Sequence, residues 1–123
     1  MIEILLAPDL SPAHLVGTGA AIGAILRHWV YVSLPAEEFP WPTLLVNVLG
    51  SFALGLLAFG GVGPATMQLL GVGCCGAFTT FSTFSVETVG LWERGERRVA
   101  TANAVGTLGC SLAGLGVAGW LVG

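Results

Sequence analysis

The chain has 123 residues, of which 54% are apolar and 9% charged, with a formal net charge of -3 and a mean hydropathy of +0.87. That composition excludes an ordinary soluble surface. With so few ionisable groups and no basic patch, nucleic acid is excluded as a partner as well.

A bilayer crossing takes about 20 predominantly apolar residues as a helix. The chain therefore reads as one all-α transmembrane domain, 1–123, of four helices expected at about 12–34, 41–61, 65–92 and 99–122. Its three cysteines match no zinc spacing. Cys74, Cys75 and Cys110 read as small packing residues.

Met1 to Ala7 is apolar but lacks the basic flank and cleavage site of a secretory signal, and is expected to form a short interfacial arm. Ser11 followed by Pro12 is an N-cap with proline at the first helical position, which starts the first helix. Inside it, Gly19 and Gly23 are spaced for close approach of another backbone. Arg27 and His28 follow near the far end; alone, Arg27 reads as an interfacial arginine with its head toward water. An acidic, proline-rich connection (Pro35, Glu37, Glu38, Pro40) leads to Trp41, placed where interfacial aromatics belong.

The second helix carries no charge, yet Thr43, Asn47 and Ser51 recur every fourth residue and share one face, with Gly50 beside them. Gly60, Gly61, Gly63 and Pro64 form the next turn. The third helix then holds the most unusual stretch, Gly73 to Glu87, in which glycines give way to Thr79, Thr80, Phe81, Ser82, Thr83, Phe84 and Ser85. The glycines at 71, 73 and 76 weaken helical preference, so a non-helical break is expected at Gly76 to Thr79. On the helix that resumes, Phe81, Phe84, Ser85 and Thr88 fall on one face and Thr80, Thr83 and Glu87 on the adjoining one.

Glu93, Arg94, Glu96, Arg97 and Arg98 make a charged connection. The fourth helix repeats the spacing of the second with Asn103, Thr107 and Ser111. Its glycines favour close packing. All four basic residues, Arg27 and the three loop arginines, fall on one side, which by the positive-inside rule places both termini outside. Four short helices hardly enclose a pore alone, so a dimer is expected.

No residue cluster has metal-ligand spacing, and there is no nucleophile elbow or phosphate-binding glycine motif. An enzyme is not expected. The chemistry on offer is hydroxyl and amide donors together with the positive edges of phenyl rings, all of which suit an anion. Irregular backbone and polar side chains persist in a membrane where they are buried in protein or line a cavity.

Three segments carry a family resemblance: Gly23-Ala-Ile-Leu-Arg27, Thr43-Leu-Leu-Val-Asn47-Val-Leu-Gly50-Ser51-Phe52, and Gly76-Ala-Phe-Thr79-Thr80-Phe81-Ser82-Thr83-Phe84-Ser85. The sequence resembles the Fluc/CrcB fluoride channels, four-helix proteins of the prokaryotic plasma membrane that form antiparallel, dual-topology dimers with two pores. The resemblance implies that Phe81 and Phe84 offer ring edges to fluoride, that Asn47 donates an amide N–H, and that Ser82 or Thr83 supplies hydroxyls, with Thr80 beside them.

It also implies a structural sodium ion (Na+) at the dimer centre, on the backbone carbonyls of Gly76 and Thr79. Carbonyls freed by a broken helix need such a partner. Arg27 would stand at an aqueous vestibule, and Glu87 resembles a glutamate near the pore. Thr43, Thr107 and Ser111 extend the polar stripes. Pro42, Ala77 and Asn103 depart from the family's usual residues; Asn103 stands where some members carry an aromatic, which bears on the fourth helix's pore contacts. The partner is a second copy, or a paralogue of opposite fixed orientation.

The implied activity is passive export of fluoride from the cytoplasm, conferring fluoride resistance. Two other readings belong to different classes. A small multidrug-type, proton-coupled antiporter also uses four short helices but wants a carboxylate at mid-membrane in its first helix. A non-conducting assembly subunit would show no flux at all.

Overall fold

The computed structural model describes residues 11–123; the N-terminal arm expected at Met1 to Ala7 lies outside them. Four helical stretches are long and apolar enough to cross a membrane, and there is no strand among the described residues. They are α1 (Pro12–Ser33), α2 (Trp41–Phe59), a third span built of several pieces between Pro64 and Glu93, and α6 (Arg97–Val122).

The start of α1 follows directly from its sequence. Ser11 is extended, its Oγ accepts the His14 N–H at 3.4 Å, and Pro12 occupies the first turn, where a missing N–H matters least. Gly19 and Gly23 are buried against the third span. A Cβ at Gly19 would overlap the Leu69 carbonyl and one at Gly23 the Cys74 carbonyl, so α1 touches its neighbour backbone to backbone. On the other side of the bundle α2 packs along α6, with Gly55 opposite Ala118 and Gly114 opposite the Val48 carbonyl.

The third span is not one uniform helix. A short α3 (Pro64–Thr66) leads into a π-helical segment, Met67–Cys75, and then α4 (Gly76–Phe78); after Thr79, Thr80 and Phe81 the chain resumes as α5 (Ser82–Glu93). Sequence placed the loss of helix at Gly76 to Thr79. In the structure Gly76 to Phe78 are helical, and the residues outside helix are Thr79 to Phe81. The glycines instead widen the preceding turns: the Gly76 N–H reaches the Gly71 carbonyl, five residues back. Thr79 is extended (φ -82°, ψ 161°). Helix stops where side chains from other helices take up its backbone groups, not where propensity is weakest.

At the end of α5, Gly95 (φ 84°) allows a Schellman turn. The Glu96 N–H bonds the Leu91 carbonyl at 2.9 Å and the Gly95 N–H bonds the Trp92 carbonyl at 3.1 Å. The turn is so tight that Arg97 and Arg98, expected in the connection, form the first turn of α6. Arg97 lies over the Trp92 ring at 5.0 Å.

Large apolar side chains such as Ile25, Trp29, Val32 and Trp120 face outward, 65 to 82% exposed. The largest fully buried side chains are Val46, Asn103, Thr43 and Pro42. Half of that set carries hydrogen-bonding side chains: the bundle is greasy outside and polar at its centre, the inverse of a soluble domain.

Candidate functional site

Most of the side chains that sequence singled out fall into two clusters. The first lines an open groove of about 570 Å³ between α2, the third span and α6, walled by Asn47, Ser51, Thr79, Thr80, Phe81, Phe84, Thr107 and Ser111 among others. Its polar atoms are ordered by Asn47. The Asn47 Nδ2 donates to the Thr80 carbonyl at 2.9 Å while the Thr80 N–H donates to Asn47 Oδ1 at 2.8 Å, so one amide side chain grips both backbone groups of one non-helical residue. One of the two Nδ2 hydrogens is thereby used, and the other remains for a ligand.

Gly50 belongs to the same arrangement, because a Cβ there would collide with the Thr79 methyl. Thr80, buried at 7% exposure, accepts the Thr83 N–H on its hydroxyl at 3.2 Å and so caps α5, with Ser82 Oγ at 3.4 Å. Phe81 is 80% exposed. Its ring centroid lies 6.2 Å from that of Phe84, tilted by 42°. An exposed phenyl ring and threonine hydroxyls line the same groove, and ring edges together with O–H donors are a combination suited to an anion. Ser111 Oγ is buried on the wall of this groove without a hydrogen-bond partner among the described residues.

The second cluster lies toward the other end of α2. Thr43, fully buried, donates its hydroxyl proton to Glu87 Oε1, and its oxygen lies 2.6 Å from the Tyr31 hydroxyl. Tyr31, the chain's single tyrosine, was not among the residues sequence picked out. It ends the first helix beside a short connection, a position that reads as an interfacial aromatic until Thr43 is seen to face it.

Arg27 is half-buried, and its Nη1 donates to the Thr79 carbonyl at 3.3 Å. It is tied to the non-helical stretch across two elements, which its reading as an interfacial arginine did not foresee. Asn103 stands behind the groove. Its Nδ2 donates to Thr88 Oγ1 at 2.8 Å, Thr88 donates to the Phe84 carbonyl at 2.7 Å, and Thr107 donates to Asn103 Oδ1 at 3.3 Å. This chain fastens α6 to α5 and ends on the backbone of a groove phenylalanine.

Among the described residues no group of three or more His, Cys, Asp or Glu could hold a metal ion. Backbone oxygens are the donors that a hard monovalent cation takes. Two are free enough here: Gly76 O loses its helical partner because the Thr80 N–H goes to Asn47, keeping only a 3.5 Å contact from Thr79 Oγ1. The Thr79 carbonyl receives only the 3.3 Å bond from Arg27. Each retains a lone pair that could accept a further donor or a hard cation such as sodium.

Residues 14–120 match the family described as CrcB-like protein, Camphor Resistance (CrcB). The chain belongs to this family. It is 56% identical over 113 residues to "Fluoride-specific ion channel FluC 2" of Haloarcula marismortui, covering 92% of this chain and 95% of that one. Its identity to "Fluoride-specific ion channel FluC 1" of Halobacterium salinarum is 47% over 112 residues, covering 90% and 92% of the two chains. With "Fluoride-specific ion channel FluC" of Chelativorans sp. it is 42% over 115 residues, covering 87% and 92%. Four apolar spans and channel relatives together make this a multi-pass membrane protein. None of these relatives is named as an antiporter, and α1 carries no carboxylate, so the antiporter reading has no support.

Proposed function

We propose that the chain is a fluoride-selective channel of the prokaryotic plasma membrane, working as an antiparallel dimer that lets fluoride leave the cytoplasm down its electrochemical gradient. The relatives' names supply the ion. The observation that carries the reading to this chain is the groove in which Asn47, threonine hydroxyls and an 80% exposed Phe81 ring meet beside non-helical backbone.

An anion leaving water for a low-dielectric interior faces a penalty on the order of tens of kcal/mol in the idealised limit. Each hydrogen bond to a charged partner returns roughly 1.5 to 3 kcal/mol. Several donors must therefore converge, and one subunit exposes them on an open face. A second subunit, inverted and laid over that face, would close the groove and cover Phe81, and the two-fold axis would generate two such routes. Along each route the free Asn47 N–H, the hydroxyls of Thr80, Ser82 and Thr83, and the ring edges of Phe81 and Phe84 replace water in turn. Thr107 and Ser111 continue the polar wall on α6.

At the dimer centre the Gly76 and Thr79 carbonyls of both copies would hold sodium, which when bound neutralises converging carbonyl dipoles and locks the two copies together. Arg27 fixes the Thr79 carbonyl and raises the local positive potential that attracts fluoride. The partner is a second copy or an oppositely oriented paralogue.

The test is fluoride efflux from liposomes holding the purified protein, with chloride as control. Fluoride efflux without an imposed proton or sodium gradient is expected, and chloride should stay inside. Phe81→Ile and Phe84→Ile, each purified as folded protein, should lose most of that flux. Efflux that requires a counter-gradient, or wild-type rates in both variants, would remove the proposal.

A further inference from the structure

We propose that Tyr31 is a positioning residue of the permeation site, whose phenol, acting through Thr43, holds the Glu87 carboxylate against α2 and away from the fluoride route. This rests on the fluoride-channel reading above.

The direction of the hydrogen bonds carries the inference. The Thr43 hydroxyl has one proton and gives it to Glu87 Oε1. In the 2.6 Å contact between Tyr31 and Thr43 the tyrosine must then be the donor. The three side chains form a one-way chain, phenol to hydroxyl to carboxylate. Thr43 is fully buried, so no water substitutes for either partner. No arginine or histidine lies within ion-pair distance of Glu87 among the described residues. A carboxylate inside a membrane span is thus held by hydroxyls alone.

What this position prevents follows from the helix. Glu87 stands one turn beyond Thr83 on α5 and shares its face. Thr83 is a proposed fluoride donor. A carboxylate released from Thr43 would be free to turn along that face toward the Thr83 hydroxyl. There it would take the proton meant for the ion and repel fluoride by like charge. With the phenol in place the Thr43 hydroxyl cannot turn its proton toward Tyr31, because Tyr31 donates to it there, and the orientation toward Glu87 is favoured. The tyrosine reaches this point only because α1 ends beside the start of α2, so α1 contributes to the site without touching the ion.

The experiment uses the reconstituted full chain. The carboxylate stretching band of Glu87 is assigned by infrared difference between wild type and Glu87→Gln, then followed in Tyr31→Phe and Thr43→Val. Tyr31→Phe removes one oxygen and leaves the ring, so the fold is retained. The band is expected to shift in Tyr31→Phe and further in the same direction in Thr43→Val. Fluoride efflux in Tyr31→Phe is expected to fall roughly two- to ten-fold, the population change that one lost hydrogen bond produces. An unmoved Glu87 band in Tyr31→Phe overturns the proposal, and so does a shifted band with wild-type efflux. Absence of fluoride efflux from wild-type protein refutes the channel reading instead, and the infrared result still decides whether Tyr31 orders Glu87.

Discussion

Replacing Asn47 with alanine tests the central structural claim, that a side chain of α2 stabilises the non-helical peptide of the third span. Two hydrogen bonds disappear, at 2.8 and 2.9 Å, and both backbone polar groups of Thr80 lose their partner. Thr80 is only 7% exposed, so neither group is rescued by bulk water. An unsatisfied buried group costs about 1 to 3 kcal/mol, which sets an upper range of roughly 2 to 6 kcal/mol for the two. Side-chain hydrogen bonds within membranes average about 0.6 kcal/mol, because the unfolded chain finds alternative partners. That sets a floor near 1 kcal/mol for two bonds. A loss of about 2 to 3 kcal/mol is expected, between these limits.

The assay is reversible unfolding in mixed micelles, followed by tryptophan fluorescence. Asn47→Asp separates the two bonds: a carboxylate still accepts the Thr80 N–H but cannot donate to its carbonyl, so about half the loss should remain. A stability change under about 0.5 kcal/mol in Asn47→Ala, the scatter of an ordinary surface substitution, would refute the account of why helix ends at Phe78.

Other positions give sharper, cheaper tests. Gly23→Ala puts a methyl into the Cys74 carbonyl, which neither backbone can move aside; a loss of about 1 to 3 kcal/mol is expected in the same unfolding assay. Gly95→Ala forces a side chain into φ 84°, and should cost roughly 1 kcal/mol with no change in flux. Asn103→Leu breaks the chain from Thr107 to Thr88 but fills the same buried space. It should destabilise by about 0.6 to 1.7 kcal/mol and loosen the Phe84 backbone, seen as faster amide exchange in α5.

The four spans were legible because composition forces them: a bilayer leaves little freedom to a chain with so few charges. The i, i+4 spacing of Thr43, Asn47 and Ser51 was equally plain, since a helix puts those positions on one face whatever surrounds it. The partners of that face were not legible. Asn47 was expected to donate to fluoride, yet one of its hydrogens goes to Thr80. Arg27 reads as an interfacial residue until Thr79 is placed beside it.

The site of the non-helical stretch was displaced for the same reason. Glycine marks where helix is cheap to break, and propensity pointed at Gly76. The outcome was decided by acceptors and donors on α1 and α2, which sequence records without saying which backbone atoms they meet. At the glycines themselves the chain takes wider π turns, Met67–Cys75, that keep its hydrogen bonds internal. Tyr31 escaped notice because a lone tyrosine at a helix end looks like an interfacial anchor.

The two clusters answer one physical problem from opposite directions. A broken helix inside a membrane leaves N–H and C=O groups that lipid cannot satisfy. Here Asn47 takes both groups of Thr80, and Arg27 takes the Thr79 carbonyl. The Thr80 hydroxyl caps the helix that resumes. What is left over is therefore specific: the Gly76 carbonyl, the second Asn47 N–H, a buried Ser111 hydroxyl and the uncovered edge of Phe81. Had the break been merely tolerated, those leftovers would be satisfied within the subunit like the rest. Carbonyl oxygen suits a cation, while N–H, O–H and ring edge suit an anion, and the two kinds lie along the same groove. A subunit that commits its other polar side chains to this stretch and leaves these groups open offers cation-type and anion-type partners along one groove, which is what the proposed channel requires.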